Sequence, residues 1–216
     1  MQLFTHTMSV AAFTVRLALK LKQVDFEQLA VPHLTSVKAF NAPAQSMNLP
    51  LLQDYQLAIN QPLAILEYLD EKYPRPPLLP EDIGLRARVR AFAHSVIGEV
   101  YPLANHQILN YLSQTLLIKE QLQARWLQDW LQGNLQKLNQ LLEDNAEWGP
   151  FCFGYELTLA DLALIPQLHY AQQLMIDLSK LPILVQIYQY CMHLNLFQEA
   201  INSPSFRCYW PGKKVT

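Results

Sequence analysis

Apolar and polar positions along this chain follow two different rhythms, one before and one after a run of prolines. Residues 2–6 alternate and predict a short strand. From Ala11 to Lys22, the positions of Val15, Ala18, Leu19 and Leu21 predict a helix with an apolar face. Val24 to Val31 returns to a period near two and predicts a second strand. Pro32 to Asn48 is mixed, contains Pro43, and reads as irregular chain around one short helix. Pro50–Gln53 and Gln56–Ile59 flank Asp54-Tyr55, which predicts a hairpin. A helix from Gln61 to about Tyr73 follows, with Leu63, Leu66, Leu69 and Tyr73 on one face.

The stretch Pro74-Arg75-Pro76-Pro77-Leu78-Leu79-Pro80 stops that helix, because proline has no N–H and clashes with the preceding turn. It reads as an extended linker, 75–82, between a mixed unit at 1–74 and an all-helical unit at 83–216. The helices expected beyond it run from Asp82 to about Tyr111 and from Lys119 to about Glu143. Thr158 and Asp161 then form a capping box, with Leu157 able to staple onto Leu162, and open a helix through about Gln173. Pro182 opens another to about Asn195. Trp126 and Trp130 are expected in the core, and Arg86, Arg88 and Arg90 as solvated or subunit-contacting groups spread around their helix. The fold class is α/β followed by all-α.

Composition narrows the setting. With 216 residues, 51% hydrophobic and 16% charged, the chain can bury a real core and is not disordered. A formal net charge of −2 points to neither a nucleic-acid nor a membrane-surface partner. Cys152, Cys191 and Cys208 are odd in number, show no metal-like spacing, and read as free thiols of a reducing compartment. Without a basic, then apolar, leader or an apolar run long enough to span a bilayer, a cytoplasmic location is expected.

Three stretches carry a family resemblance: Leu49-Pro50-Leu51-Leu52, the segment from Ala58 through Gln61-Pro62 to Leu69, and Leu157-Thr158-Leu159-Ala160-Asp161. Together they resemble the glutathione transferase superfamily, and most of all its zeta class, known for maleylacetoacetate isomerase activity. The resemblance covers about residues 2–202. It implies a thioredoxin-like N-terminal domain followed by an all-helical C-terminal domain, glutathione as cofactor, and a homodimer.

The same resemblance assigns roles. Leu49, before a cis Pro50, pairs its main chain with the cysteinyl backbone of glutathione, as a short strand added to the sheet edge. Ser9-Val10-Ala11 lies on the family's Ser-Ser-Cys run, so Ser9 is the catalytic hydroxyl that faces the glutathione sulfur. A hydroxyl donor and a helix N-terminus both favour thiolate. His6 and Thr7 are secondary candidates. Gln61 helps hold the γ-glutamyl carboxylate, and Pro62 replaces the family's serine there. That replacement removes a hydroxyl and an N–H, a loss of roughly 1.5–3 kcal/mol for one bond to a charged group. Asn105, within Pro102-Leu103-Ala104-Asn105, matches an asparagine of the family's cleft. Gln173 occupies the place of an arginine that holds the acidic substrate. Val10, Ala11 and Phe13 would line an apolar substrate pocket.

The activity implied is a glutathione-dependent transferase or cis–trans isomerase acting on a small electrophilic or unsaturated acid. Two alternatives stand beside it. One is a non-catalytic protein of this fold that works through protein contacts, as stringent starvation protein A does. The other is a ligand carrier.

Overall fold

The protein is described from a computed structural model for residues 1–5, 9–30, 49–103 and 106–201, without the side chains of Leu103, His106 and Gln107. The short helix expected within 32–48 lies outside the described residues, as do His6, Thr7, Asn105, Cys208 and the tail from Pro204.

Strands β1 (Gln2–Thr5), β2 (Glu27–Ala30), β3 (Leu51–Asp54) and β4 (Leu57–Asn60) form one sheet in the order β2-β1-β3-β4. β1 is parallel to β2 and antiparallel to β3, which is antiparallel to β4. A parallel pair needs a crossover, and helix α1 (Val10–Leu21) supplies it. The register separates two faces. Leu3 and Leu52, paired across the ladder, enter the main core with α1 and with α2 (Pro62–Lys72). Phe4 and Leu51 form a second cluster with Leu29, Leu49 and Ala58. This is the thioredoxin-like unit that the sequence predicts.

Two boundaries move. Among the described residues the second strand starts at Glu27 instead of Val24, opposite Gln2, the first residue of β1. The hairpin turn is Tyr55-Gln56, one residue later than expected, since Asp54 stays in the ladder opposite Leu57. Tyr55 adopts the positive φ (54°) that a glycine would normally supply there. Asp54 accepts from Tyr68 Oη at 2.6 Å and forms an ion pair with Lys72.

Residues 73–82 carry neither helix nor strand, and a buried ammonium organises them. Lys22, at the end of α1, donates to Asp70 Oδ1, Tyr73 O and Pro76 O, each at 2.6 Å. Three acceptors match its three N–H groups. Asp70 Oδ1 also accepts from Leu78 N–H, and Leu78 O from Leu159 N–H, both at 2.8 Å.

The helical half contains α3 (Ile83–His94), α4 (Tyr101–Leu103), α5 (His106–Asn110), α6 (Glu120–Asn145), α7 (Leu159–Gln173), α8 (Pro182–Met192) and α9 (Asn195–Ile201). The one helix expected from Asp82 to Tyr111 is interrupted by a π-helical turn at Ser95–Val100, and a second follows it at Tyr111–Thr115. Apolar spacing over so few residues does not separate a π turn from an α turn. No described helix is long and apolar enough to cross a membrane.

Helix α7 packs against α1 and α3 and is buried along most of its length. Its capping residue is as expected. Asp161 Oδ2 accepts from Thr158 N–H (2.8 Å) and Thr158 Oγ1 (2.9 Å), and Oδ1 from Cys152 N–H (2.7 Å). Cys152 and Cys191 are free and buried, and burial pushes both thiols well above their ordinary range.

Trp126 and Trp130 are a correction. They stack on each other at 6.2 Å, with Trp126 exposed, instead of entering the core. The buried face of α6 is Leu127, Leu131, Leu135, Leu138 and Leu142, and Trp126 stands about 100° around the helix from Leu127. Arg88 and Arg90 pair with Glu147 and Glu67, each at 2.6 Å, and Arg86 Nε donates to Pro80 O at 3.0 Å.

Two outcomes are expected. Asp161→Ala leaves three donors without their acceptor inside the core. It should cost about 3 kcal/mol and lower Tm by roughly 6–12 °C in calorimetry, whereas Asp144→Ala on the exposed side should stay within about 0.5 kcal/mol. The second outcome concerns acid. Burial alone would raise the Asp54 carboxyl, but the hydrogen bonds from Lys72 and Tyr68 outweigh it and hold it below its usual value of 3.8. Its stabilising contribution is therefore present above that value and lost as pH falls through the folded-state pKa. Asp54→Asn should flatten the acid limb of a urea-unfolding stability profile.

Candidate active site

The ladder brings three predicted residues to one end of the sheet. Phe4, Leu51 and Asn60 sit side by side on β1, β3 and β4. Just beyond them, β1 leads toward Ser9, β3 is entered through Leu49-Pro50, and β4 leaves through Gln61. Neighbouring strands lie about 4.8 Å apart, so the three segments leave the sheet across a width of about 10 Å.

Ser9 is the N-cap of α1, with extended backbone (φ −118°, ψ 119°), and its Oγ accepts from Ala12 N–H at 3.2 Å. Its C=O accepts from Phe13 N–H at 3.0 Å. The N–H groups of Val10 and Ala11 have no acceptor within the helix. Ser9 Oγ also lies 3.4 Å from Tyr101 Oη, which comes from the first residue after the Ser95–Val100 π turn. Burial pushes the Tyr101 phenol above its ordinary value. The sequence reading places Asn105 in this neighbourhood and passes over Tyr101. Nothing in local spacing signals a contact between positions 92 apart.

The side chains of Val10, Ala11 and Phe13, expected in a substrate pocket, are buried. Phe13 belongs to the main core, with the Arg16 guanidinium 5.5 Å from its ring centroid. Among the described residues, α1 brings its first N–H groups and Ser9 to this end of the sheet.

The Leu49–Pro50 peptide is cis, as the resemblance implies, and so is Arg75–Pro76. The main chain of Leu49 makes no hydrogen bond to another described residue, while its side chain rests on Phe4 and Leu51. Gln61 precedes α2 with φ 70° and ψ 115°, a conformation few non-glycine residues adopt, and its exposed side chain makes no capping bond. Pro62 is buried at the first helical position. It has no N–H, yet the N–H groups of Leu63 and Ala64 still lack helical acceptors. Two helix N-termini, each worth about half a positive elementary charge, thus open at the same end of the sheet.

Gln173, the last residue of α7, is exposed, and its amide nitrogen lies 2.9 Å from His169 Nε2. His169 Nδ1 lies 2.9 Å from Tyr188 Oη. Burial lowers the His169 imidazole and pushes Tyr188 up to about 12. No contact among the described residues joins Gln173 to Ser9. A cleft of about 760 Å³ at the other end of the sheet, beside Lys22 and Lys72, contains none of these residues. Among the described residues, no group of His, Cys, Asp or Glu is placed to hold a metal ion.

Comparison with known proteins gives this arrangement a family. Residues 1–71 match the glutathione S-transferase N-terminal domain. The chain is 36% identical over 204 residues to a probable maleylacetoacetate isomerase of Vibrio cholerae, covering 92% of this chain and 94% of that protein. It is 33% identical to a zeta-class glutathione S-transferase of Euphorbia esula, covering 93% of this chain and 89% of that one. A solved maleylacetoacetate isomerase from Anaeromyxobacter dehalogenans, with bound GSH in its active site, superposes with a TM-score of 0.79 at 33% identity, covering 95% of each chain. With sequence, strand order and helical half all in agreement over nearly the full length, the chain belongs to the zeta class of the glutathione S-transferase family.

Proposed function

We propose that this protein is a glutathione-dependent cis–trans isomerase of a maleyl-type acid. The observation that carries the proposal is the Ser9 hydroxyl at the opening of α1, on the sheet end it shares with Leu49 and the start of α2. The relatives named as isomerases of maleylacetoacetate and maleylpyruvate support the reaction and the substrate class. No specific observation favours the protein-contact or carrier alternatives.

Glutathione is an extended tripeptide, and about three residues at 3.3 Å each span roughly 10 Å. That length suits the width of the sheet end where Phe4, Leu51 and Asn60 lie side by side. In the proposed complex its cysteinyl main chain pairs with Leu49. Its γ-glutamyl carboxylate meets the free N–H groups at the start of α2, beside Gln61. Its sulfur meets the Ser9 hydroxyl and the N-terminus of α1. A free thiol with a pKa near 8.5 is mostly protonated at neutral pH, and these donors favour the thiolate.

The thiolate adds to the conjugated cis double bond, forming a C–S bond while the electron pair moves onto the carbonyl oxygen as an enolate. The former double bond is now single and rotates. The enolate then collapses, the C–S bond breaks, and thiolate leaves with the trans double bond restored. No net proton or electron is consumed. Gln173 replaces a charged substrate partner with a neutral amide, so substrate carboxylates are held by hydrogen bonds there. A homodimer, a cytoplasmic location, and division of the chain into 1–74 and 83–216 around the linker complete the proposal. The lack of helix or strand at 73–82 supports that division.

In calorimetric titration, glutathione should bind saturably at millimolar concentration or tighter, and conversion of maleylacetoacetate to its trans isomer should require it. Ser9→Ala should lower kcat/KM about 10- to 100-fold, as loss of one bond to a charged group does. Absence of heat and of any thermal shift at about 10 mM glutathione (roughly −3 kcal/mol) would refute the proposal. Pro62→Ser restores a hydroxyl and an N–H to the carboxylate end and should tighten binding by about tenfold or more. Unchanged affinity would mean that the carboxylate does not sit on α2.

A further inference from the structure

We infer that Tyr101 is a positioning residue, which fixes the direction of the Ser9 O–H so that it donates to the glutathione sulfur. The inference rests on the proposed glutathione site and deepens it. A serine hydroxyl has one proton and two lone pairs. Ala12 N–H occupies one lone pair of Ser9 Oγ, at 3.2 Å. Tyr101 Oη, 3.4 Å away, is placed to occupy the other. Of the two hydroxyls the phenol is the more acidic, so it is the better donor and the poorer acceptor. With the Tyr101 proton on Ser9 Oγ, both lone pairs are filled. The proton of Ser9 is then the one group left to point into the site. Burial keeps the phenol protonated at neutral pH, so it remains a donor. The 3.4 Å separation is long for a hydroxyl pair, as catalytic hydrogen bonds often are before ligand binds.

The backbone is shaped to deliver this phenol. Tyr101 N–H bonds to Val96 O, the i to i−5 connection of a π turn. Such a turn holds one residue more than an α turn, which rotates the downstream residues by about 100° around the helix axis. Without it, a different residue of the segment would face Ser9. Trp130 Nε1 donates to Glu99 O at 3.3 Å and ties the turn to α6. Tyr101 thus brings a hydroxyl from the helical half to a helix start where Val10 and Ala11 offer no polar side-chain atom.

The test is a double-mutant cycle on the full-length protein with glutathione itself. Calorimetry first measures glutathione affinity for wild type, Tyr101→Phe, Ser9→Ala and the double variant. Ultraviolet thiolate absorbance then gives the pH at which bound glutathione is half ionised in each. The titratable and charged groups of the packed elements (Arg16 and Lys20 of α1, Glu99 beside Tyr101, Asp161 and His169 of α7) are common to all four, so the cycle isolates the hydroxyl pair. At a pH well below the half-ionisation point, where bound glutathione is the thiol, Tyr101→Phe is expected to leave affinity nearly unchanged, while raising the half-ionisation pH by about 0.4–1 unit, the effect of one neutral hydrogen bond. In the Ser9→Ala background it should cause no further shift. An unshifted ionisation in Tyr101→Phe, or equal shifts with and without Ser9, would overturn the inference while leaving the glutathione site intact. Failure of wild type to bind glutathione would overturn both.

Discussion

One buried ammonium holds the two halves of this molecule in register. Lys22 ends α1 and gives its three protons to Asp70, Tyr73 O and Pro76 O. Asp70 in turn takes the N–H of Leu78, whose carbonyl takes the N–H of Leu159 at the start of α7. Sheet unit, linker and central helix are therefore fixed by a single chain of charge-assisted and main-chain bonds. A buried charge is tolerable only when paired and fully hydrogen-bonded, and the geometry here meets that condition. Its consequence for function is indirect but strong. With one end of α1 clamped, the other end, at Ser9, is held against Tyr101 from the helical half.

The site then follows from strand order. A thioredoxin-like sheet with β1 between β2 and β3 brings the start of α1, the entry to β3 and the start of α2 to one end. Two helix N-termini and a main-chain segment with no hydrogen bond to another described residue suit an anionic, peptide-like ligand better than an apolar one. Val10, Ala11 and Phe13 are buried, and Val10 and Phe13 belong to the main core. In the proposed complex, Pro62 leaves the carboxylate end without the hydroxyl and N–H of a serine, while proline is well suited to the first helical position. Fold and affinity are thus separable here, and substitutions that lower affinity need not alter the scaffold.

Much of this was legible before the structure. Alternation in residues 2–6, the apolar face of α1 and the Thr158–Asp161 box are local signals, and among the described residues the strand Gln2–Thr5, α1 and the α7 cap appear where period or capping chemistry places them. What escaped was non-local or depended on rotation about a helix. Nothing in the sequence around Lys22 marks it as buried, because its acceptors lie 48 to 54 positions away. Trp126 and Trp130 look like core by composition, and only the phase of α6 turns them outward. The π turn before Tyr101 shifts that phase by one residue, so the contact with Ser9 leaves no periodic trace.

The proposed function turns on a tripeptide thiol lying across the sheet end between Ser9 and the start of α2. A crystal structure of the glutathione complex decides whether it does. Density is expected with sulfur within hydrogen-bonding distance of Ser9 Oγ, cysteinyl main chain paired to Leu49, and the γ-glutamyl carboxylate on the amides that open α2. Glutathione seated instead in the cleft beside Lys22 and Lys72, or a complex with Ser9 turned away from the sulfur, would rule this binding mode out.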